Sequence, residues 1–207
     1  AQEIAGVRVG DREVDIARSL EARFGELGAE DRAFPTIVAG GPNSAVPHHR
    51  ASSRPLQPGD LLVIDCGAMV GGYHADMTRT FVVGAEPADW QREVHEIVLG
   101  AQERARNVVT PGIRAREVDL AARSFIEQRG YAANFTHGTG HGVGLQIHES
   151  PLLSASTDEC LGERFVVTVE PGVYLPGRGG VRIEDTVVVA DPSQVLTPMD
   201  RALTRVG

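Results

Sequence analysis

The hexapeptide "REVDIA" at residues 12–17 returns as "REVDLA" at residues 116–121. Each copy opens a stretch with helical apolar spacing that runs out near a glycine, Gly28 or Gly130. Behind each helix comes an irregular stretch with histidines, "PNSAVPHHR" in the first half and "NFTHGTGHGVGLQIHE" in the second. Two β-branched runs parted by Gly and Pro then follow in both halves, in "PGDLLVIDCGAMVGGYHADMTRTFVVG" and "LGERFVVTVEPGVYLPGRGGVRIEDTVVV". A chain that writes helix, histidine loop and hairpin twice is held to a fold with an internal pseudo-twofold axis. Its 207 residues suffice for one such domain with a sizeable core.

The spacing predicts a buried stripe of Val14, Ala17, Phe24 and Leu27 in the first helix and of Val118, Ala122 and Phe125 in its repeat. Between the halves, Trp90, Val94, Ile97, Val98, Ala101 and Val108 trace one face of a longer helix that links them. The expected class is α+β, a curved antiparallel sheet with helices over one side. "PGRGG" at 176–180 falls between two strand patterns and reads as a turn, not a domain boundary.

Each hairpin carries two acids where it should carry oil. If the first turns symmetrically at Val70 and Gly71, Asp65 stands directly opposite Asp76, with Cβ atoms about 5 Å apart. Two unit charges there repel by roughly 3 kcal/mol at an effective dielectric near 20, and each also loses hydration. A shared proton or a cation must offset this. The second hairpin repeats the problem with Glu170 and Glu184. Four carboxylates around a twofold axis exceed what one proton neutralises, so divalent metal ions are expected, two of them sharing bridging carboxylates. Asp185 and Cys66 fall on the other parity of their strands and are left out.

In "HGTGHGVGLQIH", glycine at 138, 140, 142 and 144 disfavours helix. Extended backbone puts His137 and His141 on one face and leaves the other bare for close packing, while His148 takes the opposite parity, so the chain must bend between Gly144 and His148. His49, His74 and His95 read as ordinary hydrogen-bonded or core histidines. The net charge of −8 argues against a nucleic-acid footprint or a polybasic membrane patch. No run of some eighteen apolar residues occurs. The two cysteines, Cys66 and Cys160, form no C-x-x-C pair, which fits a reducing, cytoplasmic setting and a soluble protein.

These residues resemble the pita-bread metallopeptidases, the family of methionine aminopeptidase, aminopeptidase P and prolidase, over nearly the whole chain. The family's five metal ligands fall on Asp65, Asp76, His141, Glu170 and Glu184, in order and with matching spacing. "PHH", "HGTGHGVGLQIHE", "TVEPGVY" and "GVRIEDT" are most similar to the branch that cleaves Xaa-Pro bonds. The methionine-removing branch lacks the features at His137 and Arg182.

The resemblance implies that Asp65 chelates one ion, that His141 and Glu170 hold the other, and that Asp76 and Glu184 bridge them. It implies two divalent ions per chain, manganese first, with cobalt or zinc as alternatives, lowering the pKa of water to give a nucleophile near neutral pH. His148 would polarise the carbonyl before proline, Glu170 would carry the proton to the leaving nitrogen, and His48 and His137 would steady the tetrahedral intermediate. Arg182 would orient the site near Glu184. Of the adjacent pair, His48 rather than His49 is expected to matter. The substrate implied is a peptide with proline second, and a homodimer is the oligomer suggested. Residues 1–207 are expected to be the catalytic domain, without the family's first helix and the N-terminal domain common in the proline-specific branch. Methionine removal, and a noncatalytic module that binds peptide or protein, are the competing readings.

Overall fold

Positive-φ glycines punctuate the helices of both halves in the computed structural model, which describes residues 2–207. Helix α1 (Gln2–Gly6) precedes α2 (Glu13–Glu26), and α3 (Asp89–Val108) leads into α4 (Ala115–Gln128). Gly10 and Gly112 (φ +91° and +86°) stand before α2 and α4, and Gly28 and Gly130 (φ +93° and +86°) follow them. These glycines and the helix starts lie 102 residues from their counterparts, whereas the two hexapeptides lie 104 apart. Two residues turn a helix by about 200°, so the matching letters do not occupy matching places. Glu13 is fully buried, while Glu117 is exposed and accepts the Arg114 N–H at 3.4 Å. The halves do repeat, but their register is set by the glycines.

The buried face of α2 is Ile16, Ala17 and Leu20, with Val14 and Phe24 half-buried. Leu27 corrects the expected stripe: the helix has ended at Glu26, and the side chain is 71% exposed. Val94, Ile97, Val98 and Ala101 of α3 and Val118, Ala122 and Ile126 of α4 share the larger core. Phe125 is half-buried, its ring between the guanidinium groups of Arg104 and Arg129.

The first half holds β1 (Asp31–Arg32), β2 (Ile37–Gly40), β3 (Leu61–Cys66), β4 (Ala68–Val70), β5 (Tyr73–His74) and β6 (Met77–Val83). The second holds β7 (Gly140–Gly142), β8 (Glu149–Leu153), β9 (Val166–Val169), β10 (Gly172–Leu175), β11 (Gly179–Arg182), β12 (Asp185–Val188) and β13 (Gln194–Val195), with β14 (Thr204–Val206) last. Two larger sheets result, ordered β14-β6-β3-β2 and β13-β12-β9-β7-β8, with smaller β1-β4-β5 and β10-β11 ladders. One pairing departs from the antiparallel expectation, since β14 joins β6 in parallel and so returns the chain's end to the first half.

The first hairpin turns at Gly71 and Gly72, not at Val70 and Gly71. Both glycines have positive φ (+59° and +77°), the two-residue turn whose twist suits a hairpin. Val70 therefore pairs with Tyr73, and Asp65 pairs with Thr78. Asp76 is not directly opposite Asp65. It sits at the break before β6, where a Cβ on Gly67 would lie 1.7 Å from the Ala75 carbonyl oxygen. The close crossing at Gly67 interrupts the ladder and brings Asp76 to the same centre diagonally.

Side chains and backbone of β6 join the halves. Glu184 N–H donates to the Thr78 carbonyl (3.1 Å), the Thr186 hydroxyl to the Asp76 carbonyl (2.7 Å), and the Thr80 hydroxyl to the Arg182 carbonyl (2.9 Å). These antiparallel contacts lie across the pseudo-twofold axis, so residues from equivalent strands meet there.

Candidate metal centre

The acids at that axis share one pattern. The Arg182 guanidinium donates to Asp65 Oδ2 at 2.7 Å, and Asp65 Oδ1, buried, has no partner. The Thr78 hydroxyl donates to Glu184 Oε2 at 2.7 Å, and Glu184 Oε1, buried, has none. Asp76 Oδ1 is likewise buried without a partner. Glu170 follows the last pair of the β9–β12 ladder, Val169 with Asp185, and its Oε1 accepts the Thr168 hydroxyl at 3.2 Å. An unpaired buried carboxylate oxygen costs several kcal/mol, and three converge here. Burial, and then the charges of neighbouring carboxylates, push Asp76 and Glu184 well above the usual carboxylate range. Burial pushes Glu170 up to about 7.

His141 supplies the imidazole. Its Nδ1 lies 2.9 Å from the Gly142 carbonyl oxygen, which can only accept, so Nδ1 carries the proton and Nε2 presents a bare lone pair. That lone pair faces Glu170 Oε1 at 3.3 Å and Asp76 Oδ2 at 3.5 Å. Burial holds the ring's pKa down at about 4, so the imidazole itself brings no proton to the three acceptors at neutral pH. Asp76, His141 and Glu184 each offer a donor atom within 4.8 Å of the others. Acceptors that face one another with no hydrogen between them fit divalent cations. The Thr168 hydroxyl fixes the arrangement by accepting His141 N–H (3.0 Å) while donating to Glu170.

Beyond the acids runs a second chain of contacts. Arg182 also donates to the Tyr174 hydroxyl (3.0 Å), which lies 2.8 Å from His137 Nε2. His137 Nδ1 is 2.7 Å from the Gly138 carbonyl oxygen, so Nε2 is the acceptor and Tyr174 the donor. Burial pushes Tyr174 up to about 12 and His137 down to about 4, which keeps both neutral. Both ring nitrogens of His137 are thus engaged within the protein. His148 stands at the opening, its ring 4.5 Å from that of His141, because β7 stops at Gly142 and the bend at 143–148 cancels the strand parity. His48, also exposed, borders the same cleft. The cleft, of about 680 Å³, also reaches Asp65, Asp76, Glu170 and Arg182.

A family model, metallopeptidase family M24, matches residues 1–191 of this cleft-bearing chain. The chain belongs to metallopeptidase family M24. It is 47% identical over 201 residues to the Xaa-Pro dipeptidase of Pyrococcus furiosus, an alignment covering 97% of this chain and 58% of that protein. An X-Pro aminopeptidase from Thermotoga maritima superposes with a TM-score of 0.96 at 44% identity, over 99% of this chain and 58% of that one. Prolidase from Pyrococcus furiosus superposes with a TM-score of 0.94 at 46% identity, over 96% and 59%. The chain therefore spans about 58% of the length of these relatives. The M24 family implies divalent metal ions, and the facing acceptors of this centre fit them. The α+β pita-bread fold expected from the sequence is that of these structures.

All five expected ligands of the M24 chain meet at one centre, and His48, His137, His148 and Arg182 surround it. Asp185 turns away and is fully buried against Arg79 and Gln102. His49 bonds Glu13, His74 bonds the Gly144 carbonyl, and His95 is a core histidine with its pKa held at about 4 by burial. Residues the sequence reading passed over are Tyr174, Thr78 and Thr168, which orient the ligands. Tyr174 stood in the quoted "TVEPGVY"; the two threonines carry no sequence signal beyond lying in the hairpins.

Proposed function

We propose that residues 1–207 form the catalytic domain of a dinuclear metal-dependent peptidase that hydrolyses the Xaa-Pro bond at the N-terminus of peptides or in dipeptides. The observation carrying this reading is the set of free oxygens on Asp65, Asp76 and Glu184 beside the bare His141 Nε2, set against the Arg182–Tyr174–His137 chain. Asp65, Asp76, His141, Glu170 and Glu184 would hold the ions in this reading. An oxygen-rich set with one imidazole suits manganese, and accepts cobalt or zinc. When bound, the ions supply Lewis acidity that polarises a carbonyl and acidifies water.

The protein's own groups do the rest. Glu170 accepts the proton of the attacking water and passes it to the proline nitrogen as that bond breaks. His148 and His48, both bordering the cleft, donate hydrogen bonds to the substrate carbonyl and to the oxyanion that follows. His137 bears on the cleft through Tyr174 and Arg182, which hold Asp65 in place. The substrate class is supported by the relatives named as Xaa-Pro dipeptidase and X-Pro aminopeptidase. A homodimer and a cytoplasmic location complete the reading, the latter supported by two unpaired cysteines. No helix among the described residues is long and apolar enough to cross a membrane.

The test is metal content and substrate choice together. The active protein should carry close to two divalent ions per chain and cleave Ala-Pro or Ala-Pro-Ala in preference to Met-Ala-Ala. Full activity after rigorous chelation, or cleavage of the methionyl peptide alone, would overturn it.

A further inference from the structure

Glu13, fully buried in the first turn of α2, accepts five hydrogen bonds. Its Oε1 takes the Gly40 N–H (2.8 Å) and Asn43 Nδ2 (2.9 Å); its Oε2 takes His49 Nε2 (2.8 Å), the Ser52 N–H (3.0 Å) and the Ser52 hydroxyl (2.7 Å). The donors are spread along residues 40–52, from the end of β2 to the loop that carries His48. The loop's far end is fixed to the same turn, with Val14 N–H donating to the Ser52 carbonyl and Glu13 N–H to the Arg54 carbonyl. A carboxylate accepts only, so His49 must donate from Nε2, which turns its ring inward to 15% exposure. The adjacent His48 is left exposed on the cleft. The place matching Glu13 in the second half is Ala115, and the buried acid of α4 is Asp119, one turn further on.

A buried charge gathering five donors from one loop is more than helix capping requires. We propose that Glu13 is a positioning residue for His48: it gathers the 40–52 segment from below, draws His49 in, and so presents the neighbouring imidazole to the substrate. The proposal rests on the peptidase reading above for what His48 does, and on the hydrogen bonds alone for how it is held.

A double-mutant cycle on the full, manganese-loaded protein tests it. Glu13→Gln should lower kcat for Ala-Pro by about 10- to 100-fold, the loss that a misplaced group produces, with KM little moved. In a His48→Ala background the same change should cost nothing further, because its effect runs through that imidazole. Losses that multiply in the double variant overturn the proposal. Should Glu13→Gln fail to fold, Asn43→Ala and Ser52→Ala, which each leave the carboxylate in place, take its position in the cycle. Amide hydrogen exchange gives a readout independent of turnover: residues 46–52 should exchange at least about tenfold faster in the variant, with β3 and β6 unchanged. Unchanged exchange in the loop also overturns it. If the wild-type protein loaded with manganese leaves Xaa-Pro peptides intact, the assigned reaction fails, and the exchange result alone decides the positioning claim.

Discussion

At the scale of single residues, Asp65, Glu170 and Glu184 each take one side-chain donor, and Asp76 takes none. Thr78 shows what the partner is for: its hydroxyl donates to Glu184 and accepts from Arg182 Nε at 3.1 Å, so it orients a ligand and the guanidinium together. Thr78→Val keeps the shape and removes both bonds. It should weaken divalent-ion affinity by about 10- to 100-fold, measured by titrating metal into the chelated protein, while Glu184→Ala should abolish the second ion and turnover outright. Equal affinity in Thr78→Val would show that Glu184 needs no orienting. The four carboxylates were legible because an acid in an apolar strand is expensive and therefore informative. Their supports were not, since a threonine in a strand is what β propensity already favours.

At the scale of elements, α4 fixes the segment that carries the histidines. Asp119, fully buried, pairs with Arg123 one turn on (2.7 Å) and accepts the Thr139 N–H (3.1 Å) and hydroxyl (2.9 Å). Arg123 donates in turn to the carbonyls of Phe135 and His137. Asp119→Ala strands a guanidinium and two donors, and should cost about 3 kcal/mol, read as a lower denaturation midpoint with unchanged slope. Leu27→Ser, on a residue the helical spacing marked as core, should cost almost nothing. The two cases show where periodicity succeeds and fails. It placed α3 and α4 because their apolar faces persist for several turns, and it overran α2 because a single leucine past Glu26 keeps the rhythm after the helix has stopped.

At the scale of the whole molecule, burying so many acids together with neutral imidazoles shapes stability against pH. Burial raises Glu170 to about 7, and Asp76 and Glu184 are also raised, so the folded metal-free protein takes up protons that the unfolded chain does not. These carboxyls should therefore add stability as pH falls through about 7 toward the ordinary carboxylate value near 4.5. Burial holds His95, His137 and His141 at about 4, below the ordinary 6.5, so the unfolded chain takes up protons there and their contribution to stability falls as pH drops from 6.5 toward 4. The two contributions oppose each other between about 6.5 and 4.5, so the clear signal is on the alkaline side, where thermal melts of the chelated protein should fall as pH rises from about 6.5 to 8. Divalent metal should remove the decline on the alkaline side. A metal-free protein that gains stability steadily up to pH 8 would mean the carboxylates are not buried together.

The sequence by itself determined the repeat, the α+β class, the identity of the five candidate ligands and the histidines near them. Each of these lies in residue type and order: acids in strands, glycines beside histidines, helices between. Only the tertiary structure decided how they meet. The register of the halves followed positive-φ glycines and not the matching hexapeptides, because a helix position is a direction as well as a letter. Asp76 reached the centre diagonally, because backbone crowding at Gly67 broke the ladder. Glu13, Thr78, Tyr174 and Asp119 gained their places through partners distant in the chain, and a hydrogen bond between segments leaves no trace in the order of residues within either one.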